Sequence, residues 1–328
     1  DRHLRGQGGG AAAFSAGDPG LGPNRSALQL RGAAGTPDQP LASGEGRVWA
    51  DALYGFGSRA GDRAAAGADL GAGGLLVGVD RQVGADTLVG GAFGYLRETG
   101  TAKGQRQGPG FGLGRTTADS YGGTLYAGTR LGAVVLRGTA GLSYADGRID
   151  RSVVLGSGVA RASGLASGWD AGASGFAGYA LGLGLPVELV PEMGFGVDRL
   201  TRARVAERGG LARQGFATAD LTAARVLMGG RVASLALDGP TTDTAGLRLE
   251  GRAYWGHELA DTVATTRSSL FGVPFATRTS ALGRDGAVLG VSLTGPVAAG
   301  VQLSLSYTGD LRPGATAQVL SAGLQARW

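Results

Sequence analysis

Ala317-Gln318-Val319-Leu320-Ser321-Ala322-Gly323-Leu324-Gln325-Ala326-Arg327-Trp328 reads as a β-strand: Leu320, Ala322, Leu324, Ala326 and Trp328 share one face, with Gln325 and Arg327 on the other. A soluble sheet that stops on such a strand leaves an open edge and an exposed ring. A closed membrane barrel pairs its last strand with its first and sets aromatic rings at the bilayer interface. An edge strand of a soluble sandwich is the rival reading, and the rest of the chain decides between them.

The same alternation runs back through the chain. Val48, Ala50, Ala52, Tyr54 and Phe56 alternate with Arg47, Trp49, Asp51 and Leu53. Leu189, Pro191, Met193, Phe195 and Val197 alternate with residues that include Glu188, Glu192 and Asp198, and Leu247, Leu249, Gly251, Ala253 and Trp255 with Arg248, Glu250, Arg252 and Tyr254. One face is apolar and the other is expected to be consistently wet. About twelve such segments begin near Arg47, Leu70, Thr87, Asp119, Val134, Trp169, Val187, Thr218, Leu247, Asp285, Val301 and Gln318. Most run to about ten residues or more, the length of a tilted bilayer span.

Connections after the second, fourth, sixth and tenth segments read as tight turns, at 83–86, 131–132, 184–186 and 295–297. Those after odd-numbered segments read as long loops, as at 99–116 and 262–284; 238–245 is long for a turn and 309–315 short for a loop. This alternation is what membrane barrels show, and an even strand number puts both barrel ends on the short-turn side, conventionally periplasmic. Pro191, lacking an N–H, is expected to mark a bulge or local break. A sandwich needs bulky Leu, Ile and Phe to fill its core, whereas isoleucine is almost absent and many apolar-face positions are Gly or Ala.

The 328 residues hold no run of about 18 apolar residues, so no helical membrane span is expected. The 65 glycines argue against long helices. The chain has no cysteine, which removes disulfides and thiolate metal sites. The net charge is +5, but Lys103 is the only lysine and the arginines are scattered, so no nucleic-acid partner is expected. Residues 1–46 are Gly- and Pro-rich and read as a linker; 47–328 read as the barrel domain. Within the linker, Asn24 is placed to cap a helix of about two turns over 25–31. Starting at Asp1 with neither initiator methionine nor signal peptide, the chain reads as a piece of something longer.

Little in the sequence suits catalysis, and no enzyme activity, cofactor or metal is expected. The two histidines are His3, in the linker, and His257, just past Trp255 on the apolar face; there is no Gly-x-Ser-x-Gly elbow. The functional candidates are instead the charges expected to point inward: Arg47, Asp51, Arg130, Arg137, Glu188, Glu192, Arg248, Glu250 and Arg252. Charges of both signs on neighbouring strands can pair across the ladder and keep a pore hydrated.

Several stretches together resemble the translocator domain of a monomeric, type Va autotransporter, the type V secretion module of Gram-negative bacteria. They are 47–51 (RVWAD), 77–81 (VGVDR), 88–95 (LVGGAFGY), 190–192 (VPE), 255–259 (WGHEL), 285–290 (DGAVLG) and Trp328. The resemblance spans Arg47 to Trp328 and rests on the order and spacing of these stretches, no one of which is specific. It implies an all-β fold: a twelve-stranded antiparallel transmembrane β-barrel, integral to the outer membrane, with a short N-terminal α-helix in the lumen. It also implies a monomer that exports and anchors a passenger at the cell surface, in contact with lipid and lipopolysaccharide, with long loops extracellular. The aromatic terminal strand, with Leu320, Leu324 and Trp328, implies recognition by the β-barrel assembly machinery after escort by periplasmic chaperones. Trp328 departs from the more usual final phenylalanine. Some members cut their own linker through an asparagine, and Asn24 is the only asparagine here; its neighbour is Arg25, not the usual asparagine or alanine, and helix capping accounts for Asn24 equally well. A stand-alone outer-membrane porin is the alternative, although such a pore has no use for a helix-bearing lead.

Overall fold

A computed structural model describes residues 45–62, 65–103, 114–155, 158–210, 213–234 and 246–328. Asn24, His3 and the expected linker helix lie outside these residues. Twelve long strands follow one another: β1 (Gly46–Arg59), β2 (Ala68–Val83), β3 (Thr87–Ala102), β4 (Gly114–Leu131), β5 (Val134–Leu155), β6 (Gly158–Tyr179), β7 (Val187–Arg202), β8 (Ala219–Ser234), β9 (Arg248–Glu258), β10 (Asp285–Ala298), β11 (Val301–Arg312) and β12 (Ala315–Arg327). Each runs antiparallel to its neighbours in sequence, and β12 returns to β1 in a register from Arg47↔Arg327 to Arg59↔Ala315. The sheet is therefore a closed twelve-stranded barrel, and closure removes the open edge that the last strand would otherwise present.

Outward on β1 stand Val48, Ala50, Ala52 and Tyr54; Arg47, Trp49, Asp51 and Leu53 are buried within. Ten of the strands begin within about three residues of their expected starts, as the period of two dictates. The exceptions are β4 and β6, which begin well upstream of Asp119 and Trp169. Pairing between β5 and β6 continues to Leu155↔Gly158, giving strands of 22 residues, against about ten for a tilted span. The outward face of that outer portion mixes Arg148, Asp150 and Arg161 with Val159 and Leu165, so alternation alone does not reveal it.

One turn expectation needs correction, and the break expected at Pro191 falls on one side only. β10 runs through Pro296 to Ala298 with a register shift between them, and the turn falls at Ala299-Gly300, not 295–297. Gly300 supplies the positive φ of 70° that a tight reversal needs, and the bulge accommodates a proline that cannot donate to the ladder. Pro191 breaks only one of its two ladders. It pairs in register with Gly230 of β8, whereas the β6 ladder ends at the adjacent Glu192.

The inner face is not consistently wet. Trp49, Leu53, Leu76, Leu88, Leu96, Tyr126 and Val319 form a buried apolar cluster on the inner wall of β1–β4 and β12. Glycines on the neighbouring strand make room for its two largest rings. The Trp49 ring lies over Gly78, where an added Cβ would sit 2.3 Å from it, and the Tyr126 ring over Gly90, at 2.4 Å. The Gly78→Ala variant is expected to lose about 1–3 kcal/mol through overpacking, read as a lower urea midpoint in lipid vesicles. Adding Trp49→Ala should relieve the clash; if Gly78→Ala is neutral alone, the ring is not held against that backbone.

Candidate functional site

The inner wall carries its charges in three networks, each joining strands that are not adjacent. The first spans β1, β2 and β4. Arg47 grips Asp80 with two donors, Nε to Oδ1 at 2.9 Å and Nη2 to Oδ2 at 2.9 Å. Tyr126 donates to Asp80 Oδ2 at 3.0 Å and accepts from Trp49 Nε1 at 2.8 Å. Nearby, Asp51 is buried against Gly323, whose missing side chain is the space its carboxylate fills. Fork-to-carboxylate geometry of this kind is the strong form of ion pair.

Glu192 is the hub of the second network. Its Oε2 accepts from Arg137 Nη2 at 2.6 Å and from the Tyr254 hydroxyl at 2.5 Å, while Oε1 accepts from Arg231 Nε at 2.9 Å. Arg231 also reaches Glu250 at 3.5 Å. The Glu192, Arg137 and Arg231 side chains are at most 3% exposed. Phe176 stacks beneath Arg137 and beside Tyr254, so the inner wall of β6 joins the arrangement through its ring. Arg130 and Glu188 pair at 2.6 Å at the short-turn end. Half-buried Arg248 interacts with Glu250 and Glu188, and Arg252 lies over Gly290 to reach Thr308 at 2.8 Å.

The third network lies nearer the opposite rim. Arg225 crosses from β8 to Asp310 on β11 at 2.5 and 3.2 Å, passing over Gly256, and Arg312 bridges Asp310 and Glu258. Sequence reasoning missed Asp80, Arg225, Arg231, Glu258, Asp310 and Arg312, although each occupies an inward position of the two-residue period. The signal beside several of them is a glycine on the adjoining strand that a long side chain can lie across.

The long connections at 203–218 and 259–284 are not irregular. Their segments Val205–Ala206, Gln214–Phe216, Thr265–Leu270 and Val273–Arg278 form a separate four-stranded sheet. At one end Val205 and Phe216 pack on Ile149 and Ala166, on the inner faces of β5 and β6. There Glu207, with its side chain fully buried, pairs with Arg151 at 2.7 Å and accepts from the Gln214 N–H at 2.8 Å. At the other end Arg59 of β1 donates to Ser280 Oγ at 2.9 Å, and Leu282 packs on Ala315 and Ala317 of β12.

The family described as Autotransporter beta-domain matches residues 48–308. The chain belongs to this family. A comparison with curated proteins gave no match. Among solved structures, the translocator domain of the autotransporter NalP from Neisseria meningitidis aligns with a TM-score of 0.69 at 16% identity, covering 93% of this chain and 95% of that one. The transport unit of AIDA-I from Escherichia coli gives 0.57 at 12% identity, covering 88% and 91%. The β domain of the Bordetella autotransporter BrkA gives 0.55 at 20%, covering 86% and 99%. These likenesses are likenesses of fold.

As an autotransporter β-domain, the chain is an outer-membrane barrel, and its closing seam has a definite form. Leu320 and Leu324 of β12 face outward, and Trp328 exchanges backbone hydrogen bonds with Gly46 at 3.1 and 3.3 Å while its ring stays exposed. His257 stacks on Trp255 and meets Asp285 at 2.8 Å. Among the described residues of this autotransporter domain, no group of three or more His, Cys, Asp or Glu is placed to hold a metal.

Proposed function

We propose that the chain is a monomeric type V translocator, in which residues 47–328 form the outer-membrane barrel and residues 1–46 link it to an N-terminal passenger that it exports and anchors at the cell surface. The observation that carries this reading is the family match across nearly the whole closed barrel, residues 48–308. The short turns and both barrel ends face the periplasm, and the long loops with their small sheet face outward. Of the inner-wall charges, Arg130 and Glu188 at the short-turn end stay partly exposed and offer an unfolded passenger both signs, so that neither charge is held, whereas the buried Glu192 network braces the wall. Leu320, Leu324 and Trp328 form the strand read by the β-barrel assembly machinery, after periplasmic chaperones have delivered the chain. The barrel carries no chemistry of its own and needs no cofactor.

The test is surface protease accessibility of an epitope tag placed before Asp1, behind a signal peptide, in intact Gram-negative cells. The tag is expected to be shaved from whole cells with the full chain and lost from the surface when Trp328 is deleted, since deletion removes the paired backbone at Gly46 and the interfacial ring. If the barrel inserts while the tag stays periplasmic, a stand-alone pore replaces this reading.

A further inference from the structure

The outward face of β1–β4 holds an apolar groove of about 560 Å3. Its floor is bare backbone at Gly91 and Gly123, and its sides are Val48, Val79, Phe93 and Leu125. Register explains the shape. Val48, Val79, Gly91 and Leu125 form one row across four strands, and in the next row Phe93 stands opposite Gly123. Strands are about 4.8 Å apart, so Val79 and Leu125 stand roughly 10 Å apart across bare Gly91, toward which only the tip of Leu125 reaches. That gap has the width of a single hydrocarbon chain.

Two residues beyond Val79, on the same face and toward the short turn, Arg81 stands exposed opposite Val89. Its depth is marked independently. Gly46 pairs with Arg81 on one side and exchanges backbone hydrogen bonds with Trp328 on the other, and Trp328, its ring over Gly46, is 67% exposed. Tryptophan favours headgroup depth, and an outward arginine is tolerated where its head can snorkel there. A cation at headgroup depth beside a chain-wide apolar slot is complementary to a phosphate that carries an acyl chain.

We propose that this groove binds one glycerophospholipid from the leaflet at the short-turn rim, with an acyl chain over Gly91 and Gly123 and the phosphate on Arg81. The inference rests on the membrane reading of the barrel but not on passenger export, so failure of the surface-tag experiment leaves it standing, and the converse also holds. It is tested by native mass spectrometry of the detergent-purified full chain titrated with dioleoyl phosphatidylglycerol, or separately with lipid A. Gly91→Leu fills the slot; an added Cβ there meets only the tip of Leu125 at 3.3 Å and a carbonyl at 3.7 Å, so the backbone tolerates it. Arg81→Gln removes the cation without touching the slot. Each is expected to weaken retention of one phosphatidylglycerol about tenfold, through lost apolar burial or a lost charge-assisted bond. Gly138→Leu, an outward glycine of β5 outside the groove, is expected to bind as the parent does. Unchanged retention in both Gly91→Leu and Arg81→Gln, or preference for lipid A over the phospholipid, would overturn the proposal.

Discussion

Replacing Glu192 by alanine is expected to cost the barrel about 3–5 kcal/mol, the penalty for removing one partner of a buried ion pair. Three donors converge on this carboxylate, from β5, β8 and β9, and it is itself carried on β7. Without it, two guanidiniums at most 3% exposed face one another across the wall with their shared counter-charge gone. Glu192→Gln should cost less, because the amide oxygen still accepts from Tyr254 or an arginine, but its NH2 then faces a guanidinium that can only donate. The measurement is the urea midpoint of the barrel in lipid vesicles, followed by the loss of heat-modifiable migration. The Arg148–Asp150 pair, with side chains 61% and 51% exposed, is the internal reference. Breaking it should cost about 0–1 kcal/mol, and an equal effect at Glu192 would mean that the hub is solvated and carries no stability.

The contrast between these pairs marks where sequence reading ends. Period-two alternation locates all twelve strands and the inward face of each, because a closed membrane barrel leaves a side chain only two directions. Thus Arg47, Asp51, Arg137, Glu192 and Glu250 are each buried on that face. Which charges meet is a different matter. Arg137 and Glu192 pair over an intervening strand, and Arg225 reaches Asp310 over two. Such contacts depend on the stagger of the barrel and on glycines such as Gly178 and Gly256 over which a long side chain can lie. No local pattern encodes the stagger. The inner apolar cluster escapes for a related reason: Trp49 falls on the face expected to be wet, and only Gly78 and Gly90, beneath the Trp49 and Tyr126 rings, show that large rings pack there. The loop sheet is harder still: its strands of two to six residues carry little periodicity, and although the hairpin at 265–278 is local, the pairing that joins 214–216 to 268–270 links residues far apart in sequence, as does the Arg151–Glu207 pair.

That loop sheet gives the second large expected effect: Glu207→Ala should raise single-channel conductance severalfold. The sheet leaves the inner wall of β5 and β6 through Val205 and Phe216, continues through the strands at 214–216, 265–270 and 273–278, and reaches β1 and β12 through Ser280 and Leu282. In a twelve-stranded ring the seam between β12 and β1 lies opposite β6, so these anchors put the sheet across the mouth. Glu207 is the charged member of the first anchor, and its loss removes about 3–5 kcal/mol of buried ion pairing from a segment whose own ladders are two or three residues long. The membrane-spanning wall keeps its full registers, so local opening precedes any loss of the barrel. Opening should also free the paired backbone beside Arg204 and Arg208, whose side chains are already exposed, for cleavage by trypsin added from the long-loop side. Phe216→Ala, which removes apolar packing from the same anchor, should act in the same direction, and Arg148→Ala, on the exposed part of β5, should do neither. Unchanged conductance together with new tryptic cuts would show that the sheet is held by Glu207 but does not narrow the path. Unchanged conductance without cuts would show that the anchor at β1 and β12 alone holds the sheet in place, and the second variant to make is then Arg59→Ala, which removes its bond to Ser280.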